Sequence, residues 1–381
     1  MDFEWSESQR SWHDAAVEFA RRELGRDVAA RDREQAFDRA AWRRAADFGV
    51  LGMPVPKEYG GLGLGLLDLL AAMEGLGYGG KDAGLIFSVN AHLWTNTLPI
   101  LRFGDEAQRR RWLPGLADGS LIGANGASEP DAGSDVFALR TRAERRGDAY
   151  VLTGTKTFVT NAPVADLFVT YATIDPKLGA LGVTAFLVER GARGLSVGRP
   201  IEKMGLRTSP MAEVVLEGVE VPAAQRLGRE GRGVEVFECS MEWERGCILA
   251  WNLGALERLL ETSVAFVRQR RQFGKPISQF QSVSNRLVDM KVRLEAARLL
   301  LYRAAWAKSK NESSGPATAI AKLFLSEAMV SSGLDAVQVR GGYGFTTEYE
   351  VERDLRDAVG STLYSGTSEI QRNLIARSLG L

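Results

Sequence analysis

The sequence predicts an α+β multidomain chain in which a helical region, a strand region and a second helical region follow one another. Three observations predict it. Apolar residues recur at helical spacing from Ser6 to about Ser120, β-branched and aromatic runs dominate from about Leu121 to Leu227, and long helical periods return from Gly231 to the end. At 381 residues, 45% of them hydrophobic, the chain is ample for a large buried core and for two or three domains. The expected boundaries are 1–120, 121–228 and 229–381.

In the first region Ser6 and Gln9 have the spacing of a capping box, in which the hydroxyl accepts from an orphan N–H of the first turn. Trp12, Ala16, Phe19 and Ala20 then mark one helix face, and glycine and proline clusters at Gly49 to Gly52, Pro54 to Gly65 and Gly77 to Gly80 break the helices that follow. In the second region Tyr150–Thr160, Leu167–Tyr171, Val183–Val188 and Ala212–Leu216 are strand-like. No helical stretch separates them, so an antiparallel sheet or barrel is expected in place of a βαβ array. In the third region Val283, Leu287, Met290, Leu294, Ala297 and Leu301 form the apolar face of a bundle helix. Pro316 fits the first turn of the next helix, which is expected to end at Gly341-Gly342.

Lys+Arg and Asp+Glu number 48 each, so no basic surplus points to nucleic acid or an anionic membrane. Met1–Trp5 lacks a basic segment before an apolar run, and no window reaches the apolar length needed to span a bilayer. Cys239 and Cys247 form no CxxC pair and the histidines are only His13 and His92, so neither a disulfide framework nor a metal site is expected. A reducing cytoplasm is the expected location. His92, among apolar residues, fits a satisfied core histidine. Gly61, Gly63 and Gly65, like Gly228 and Gly231, lack the strand-turn-helix context of a nucleotide loop and are expected to be loop glycines.

Five segments carry chemistry: Ser128-Glu-Pro-Asp-Ala-Gly-Ser134-Asp135, Lys156-Thr-Phe158-Val-Thr160-Asn161, Arg270-Arg-Gln272-Phe273-Gly-Lys-Pro-Ile277-Ser-Gln-Phe280-Gln281, Gln338-Val-Arg-Gly341-Gly342-Tyr-Gly-Phe345, and Leu363-Tyr-Ser365-Gly-Thr367-Ser-Glu369-Ile-Gln-Arg372. In this order, over nearly the whole chain, they resemble the acyl-CoA dehydrogenase family of flavoenzymes. The resemblance implies that family's fold: an N-terminal helical domain, a middle β-barrel-like domain and a C-terminal four-helix bundle. It implies FAD between the β domain and the bundle, in a homodimer or homotetramer whose neighbouring subunit completes the site. Asn125, Ala127, Ser128 and Ser134 would hold the flavin ring and a phosphate, with Phe158 against the isoalloxazine and Thr160 near its N5 edge. Arg270, Gln272, Phe273, Ile277, Phe280 and Gln281 would reach across an interface to the neighbour's pyrophosphate and adenosine, where a guanidinium suits phosphate geometry. Gln338, Gly341 and Gly342 would approach the ADP part, and Thr367 and Glu369 complete the cofactor set.

The same resemblance raises the question of the base. In most of the family the position of Ser365 is a glutamate that removes the substrate's α-proton, and a serine hydroxyl is far too weak a base to do so unaided. In a minority, including the isovaleryl and long-chain enzymes, the glutamate comes from the helix expected to begin at Met241–Cys247, just before an arginine. Glu244 and Arg245 match those positions. Periodicity alone leaves Glu242 open, because Glu244 leads to Ile248 and Trp251 while Glu242 leads to Leu249 and Leu253. Both also fit first-turn carboxylates favoured by the helix dipole. The resemblance selects Glu244, with the backbone N–H of Ser365 as a donor to the thioester oxygen.

Ser240–Cys247, Gln279–Lys291 and Tyr364–Thr367 look most like dehydrogenases of secondary metabolism that oxidise an aminoacyl group, often prolyl, held as a thioester on a peptidyl carrier protein. Gly344–Glu348 reads more like ordinary acyl-CoA enzymes. The alternatives are an acyl-CoA dehydrogenase for a short or branched acyl group, a catalytically silent flavin-fold binding protein, and a flavin monooxygenase. The electron acceptor stays open.

Overall fold

The computed structural model describes residues 4–310 and 314–381. Its N-terminal helices are α1 (Glu7–Glu23), α2 (Val28–Glu34), α3 (Arg39–Asp47), α4 (Leu66–Gly79), α5 (Ala83–His92), α6 (Leu98–Phe103) and α7 (Glu106–Ala117). The Ser6/Gln9 capping box is formed, with Gln9 N donating to Ser6 Oγ at 3.2 Å and Ser6 N to Gln9 Oε1 at 2.9 Å. Ala16, Phe19 and Ala20 on the expected face are buried.

Next come strands β1 (Gly123–Gly126), β2 (Arg142–Arg146), β3 (Ala149–Thr160), β4 (Leu167–Thr173), β5 (Val183–Glu189), β6 (Leu195–Val197), β7 (Met211–Pro222) and β8 (Arg226–Leu227). They form one sheet in the order β6-β7-β3-β2-β4-β5-β8, with β1 also on β4. The sheet corrects the antiparallel expectation: it is mixed. β1 lies parallel to β4, with Gly123 opposite Leu167, and the start of β2 touches the far end of the same edge, with Arg142 opposite Thr173. The chain between them, 127–141, therefore leaves the sheet and returns to the same edge, and this excursion carries the Ser128–Asp135 segment. Parallel pairing needs a long connection; here the β2–β3 hairpin supplies it, which short-range patterning does not reveal.

The second helical region comprises α8 (Gly233–Cys247), α9 (Ala250–Gln269), α10 (Gln281–Ser309), α11 (Gly315–Arg340), α12 (Val351–Gly360) and α13 (Ser368–Ser378), with a small hairpin, Arg271–Gln272 and Lys275–Pro276, between α9 and α10. Pro316 sits in the first turn of α11, and Gly341 caps its end at φ 59°. Both helical regions share one hydrophobic core that runs from Ala16 through Trp94 and Leu256 to Ala358. α4 and α9 meet closely: a Cβ on Gly77 would lie 1.7 Å from the Trp251 carbonyl oxygen, and one on Gly254 would lie 2.0 Å from that of Glu74. No helix of the described residues is long and apolar enough to cross a membrane.

His92 is a satisfied core residue. Its Nδ1 accepts from Gly123 N at 2.9 Å and its Nε2 lies 3.0 Å from the Leu116 carbonyl, to which it donates as the neutral tautomer. Burial lowers the imidazole pKa to about 4.

Candidate active site

The site is built around the end of α8. Phe237, Ser240 and Glu244 are spaced three and four apart, so they share one helix face. That face packs on a π-helical turn, Leu93–Thr97, where Ser240 Oγ donates to the Trp94 carbonyl at 2.9 Å. Phe237 meets Tyr171 edge-on at 5.7 Å. The helix does not begin at Met241, as the sequence suggested. It begins at Gly233 and is interrupted at Ile248–Leu249 before α9, so Glu244 lies in the last turn of α8. Gly246, in the last turn of α8, is the one helix-weakening residue near that interruption. The helix dipole there opposes a carboxylate, which removes the first-turn explanation for Glu244.

Glu244 is 7% exposed. Its Oε1 accepts from Ser365 Oγ at 2.9 Å, while Oε2 is buried without a partner among the described residues. Burial pushes its carboxyl up to about 7, against the opposing pulls of the Ser365 hydroxyl and the Arg245 and Lys322 charges. A carboxylate held near neutrality with one free oxygen is equipped to accept a proton. Glu242 differs. Lys308 Nζ lies 2.9 Å from its Oε1 and Ser314 Oγ donates to it at 2.8 Å. Burial pushes its carboxyl up, but these partners outweigh that and hold it below its ordinary value. It is engaged in a structural pair.

Ser365 stands at φ 58° and Gly366 at φ 87°, a left-handed turn that a serine rarely adopts. Arg245 Nε donates to the Ser365 carbonyl at 3.1 Å. Thr367 caps α13, its hydroxyl accepting from Ile370 N at 3.3 Å, and Glu369 lies exposed in that helix's first turn. Glu244, Arg245, Ser365 and Thr367 thus come together.

A second group gathers on the sheet. Asn125 in β1 donates from Nδ2 to the Thr95 carbonyl at 3.0 Å, a π-turn oxygen, while its Oδ1 is unpartnered among the described residues. The Ser128 carbonyl accepts from Thr157 N at 2.9 Å, joining the 127–141 excursion to β3. Beneath that junction Lys156, fully buried, lies 2.7 Å from Glu129 Oε1. Glu129 also accepts from Arg140 N at 2.6 Å and Thr141 N at 3.0 Å. The register of β3 on β7 shifts between Lys156 and Val159, and this bulge throws Phe158 outward at φ 54°, leaving it 63% exposed. Thr160 ends the strand beside it, Ala127 is half-buried, and Ser134 is exposed on the excursion. Sequence reasoning quoted Lys156 and Glu129 without giving them a role. The signal was a single charged residue, Lys156, in the otherwise uncharged strand segment Tyr150–Thr160.

The third group is separate. Phe273 (φ 48°) and Gly274 (φ 79°) form the hairpin tip, with Phe273 93% exposed. The exposed Arg270 guanidinium stacks 5.3 Å from the Tyr343 ring, which brings the hairpin to the exposed Gln338, Gly341 and Gly342. Ile277 and Phe280 are half-buried and Gln281 is exposed. Among the described residues, no hydrogen bond, ion pair or ring contact joins this group to Glu244 or to the Phe158 platform.

Comparison with known proteins identifies the family. The models of the acyl-CoA dehydrogenase N-terminal, middle and C-terminal domains match residues 6–120, 124–219 and 231–380. The L-prolyl-[peptidyl-carrier protein] dehydrogenase of a Serratia species is 44% identical over 381 residues, covering 100% of this chain and 99% of that protein. The crystal structure of the prolyl acyl carrier protein oxidase AnaB superposes with a TM-score of 0.98 at 48% identity, covering 99% of this chain and 100% of AnaB. The structure of PigA with FAD and proline does so at 0.98 and 44%, covering all of both chains. All three domain matches fall in the family's order, and the chain belongs to the acyl-CoA dehydrogenase family.

Proposed function

We propose that the chain is an FAD-dependent dehydrogenase that introduces an α,β double bond into an aminoacyl thioester, prolyl in type, carried on a peptidyl carrier protein. The observation that carries this reading is the pairing of Glu244 with Ser365: the carboxylate lies on α8 and a hydroxyl bonds it from the position where most of the family has its base. The carrier and the prolyl group follow from relatives named for that substrate at more than 40% identity over the full chain.

FAD is the cofactor, as in the FAD-bound PigA structures. The residues fit it: Phe158 offers an exposed aromatic face on a bulge, Asn125 and Glu244 keep buried oxygens unpartnered among the described residues, and Ser128 and Thr160 flank the platform. When bound, FAD supplies the two-electron acceptor that takes the β-hydrogen as hydride. Glu244 Oε2, without a partner among the described residues, takes the α-proton. The Ser365 hydroxyl holds Oε1 and so orients the carboxylate. The thioester oxygen gains charge as the proton leaves and needs a preorganised donor. Ser365 N–H meets that need, because a backbone donor persists when the side chain is exchanged. Arg245, on the Ser365 carbonyl, keeps that peptide in place. The exposed hairpin and Gly341–Phe345 loop support a homodimer or homotetramer in which Arg270 of one subunit reaches the partner's cofactor.

Anaerobic single-turnover mixing tests the reading. L-prolyl carrier protein is expected to bleach the flavin faster than L-prolyl-CoA, because contacts remote from the reacting carbons help place the α-hydrogen. Equal or faster bleaching by the CoA thioester would transfer the assignment to a short-chain acyl-CoA dehydrogenase.

A further inference from the structure

We infer that Lys322 is a positioning residue of this site, whose ammonium locks the Ser365–Gly366 turn beside the base. The inference rests on the function proposed above. Lys322 lies on α11, one turn after Thr318, and Thr318 is the residue facing Gly246 of α8, at 3.5 Å from a Cβ placed there. The lysine side chain is fully buried, yet no carboxylate lies within ion-pair distance of it among the described residues. Its ammonium donates to the Gly366 carbonyl at 2.8 Å. A buried cation held by a neutral carbonyl is costly, so its position calls for a function that offsets the cost.

The surroundings supply one. Gln371 Nε2 donates to the Gly366 carbonyl at 2.8 Å and to the Ser365 carbonyl at 3.2 Å, and Arg245 Nε also donates to Ser365. Three side chains from three helices therefore converge on two consecutive carbonyls, both belonging to residues in the left-handed region. Gly366 adopts that region freely, but Ser365 is strained there, and such backbone persists only when its surroundings hold it. No bond from Ser365 N or Gly366 N occurs among the described residues. The turn thus presents two N–H groups without a partner among the described residues, one of them on Ser365, which also bonds Glu244. Donors on the carbonyls polarise those peptides and fix their direction. Lys322 differs from Gln371 in carrying charge. Burial above all, and then Arg245, lower its pKa to about 8 against the pull of Glu244, Glu369 and Glu327, which leaves it largely protonated at neutral pH.

The test uses two variants of the FAD-loaded enzyme, each acting on the same carbonyl. Lys322→Met removes hold and charge, whereas Gln371→Leu removes a neutral hold. Both are expected to slow flavin reduction by about 10²-fold with little change in substrate affinity, the loss typical of a misplaced catalytic geometry. Only Lys322→Met should raise the pH at which the rate is half-maximal, because loss of a nearby cation disfavours the Glu244 carboxylate. Thermal unfolding and FAD content, measured alongside, should stay close to wild type. A Lys322→Met enzyme with wild-type rate and pH limb overturns the inference, as does an equal limb shift in both variants. If Lys322→Met does not fold, Gln371→Leu decides alone: a rate loss at an unshifted limb supports the turn's role, and a wild-type rate refutes it. A wild-type enzyme that no prolyl thioester bleaches refutes the proposed function instead, before either variant is made.

Discussion

The two ends of the second helical region contrast sharply. At the end of α8 the proposed base and its neighbours belong to one chain: Glu244 is buried and bonded by Ser365, whose carbonyl Arg245 holds. At the end of α9 the chain presents Arg270, Phe273 at 93% exposure and, beyond α11, Phe345 at 87% exposure. Exposed aromatics around a guanidinium resemble the composition of a protein interface, which fits the proposed assembly. On the proposed reading, proton removal is an intrachain property and cofactor retention a property of the assembly. The two functions should fail separately.

The largest effect is expected at the intrachain end. Glu244→Gln keeps the shape and removes the proton acceptor, so flavin reduction should fall by about 10³-fold or more while FAD content and subunit assembly stay unchanged. In the wild type, the rate should rise with pH through about 7, because the carboxyl raised to that value by burial is an inactive acid below it and a base above it. A stopped-flow pH series checks both. Co-loss of FAD in the variant would break the separation between the two ends.

A smaller effect is expected at the hairpin. Arg270→Ala removes one charged contact, worth about 1.5–3 kcal/mol, so FAD affinity should fall roughly ten- to a hundred-fold with the residual bound enzyme still reducible. Flavin release on dilution and sedimentation velocity measure it together. A stable monomer with full FAD occupancy would show that the hairpin serves no neighbour.

How much of this was legible follows the range of each interaction. The capping box, Pro316 and the Gly341 cap are local and could be read directly. The strand segments were readable too, but the parallel β1–β4 pairing depends on residues more than forty apart in sequence and was not. The motif segments named the site residues, while the geometry sorted them into two groups within one chain and a third apart from both. Lys322 had a faint signal, a lysine on the stripe that includes Ala319 and Leu325, but its target carbonyl is 44 residues away. The interruption at Ile248–Leu249 had only Gly246 as a local signal, too weak to set the boundary, so the sequence placed Glu244 at the wrong end of its helix.

The smallest effect separates the two carboxylates that periodicity could not. Glu242 and Glu244 are two residues apart, so they point to different faces of α8. One meets Ser365 and the other Lys308 and Ser314. The Lys308 and Glu242 side chains are 13% and 40% exposed, a partly solvated pair of the kind worth about 0–1 kcal/mol. Glu242→Gln keeps an acceptor for Ser314 and loses only the charge attraction. Its flavin reduction should therefore stay within about threefold of wild type and its pH limb should not move, since reaction rate tracks the transition-state contacts that the substitution leaves intact. The same stopped-flow series decides it. A Glu242→Gln enzyme as inactive as Glu244→Gln would make the Lys308 pair part of the catalytic end and undo the assignment of the base by burial and a free oxygen.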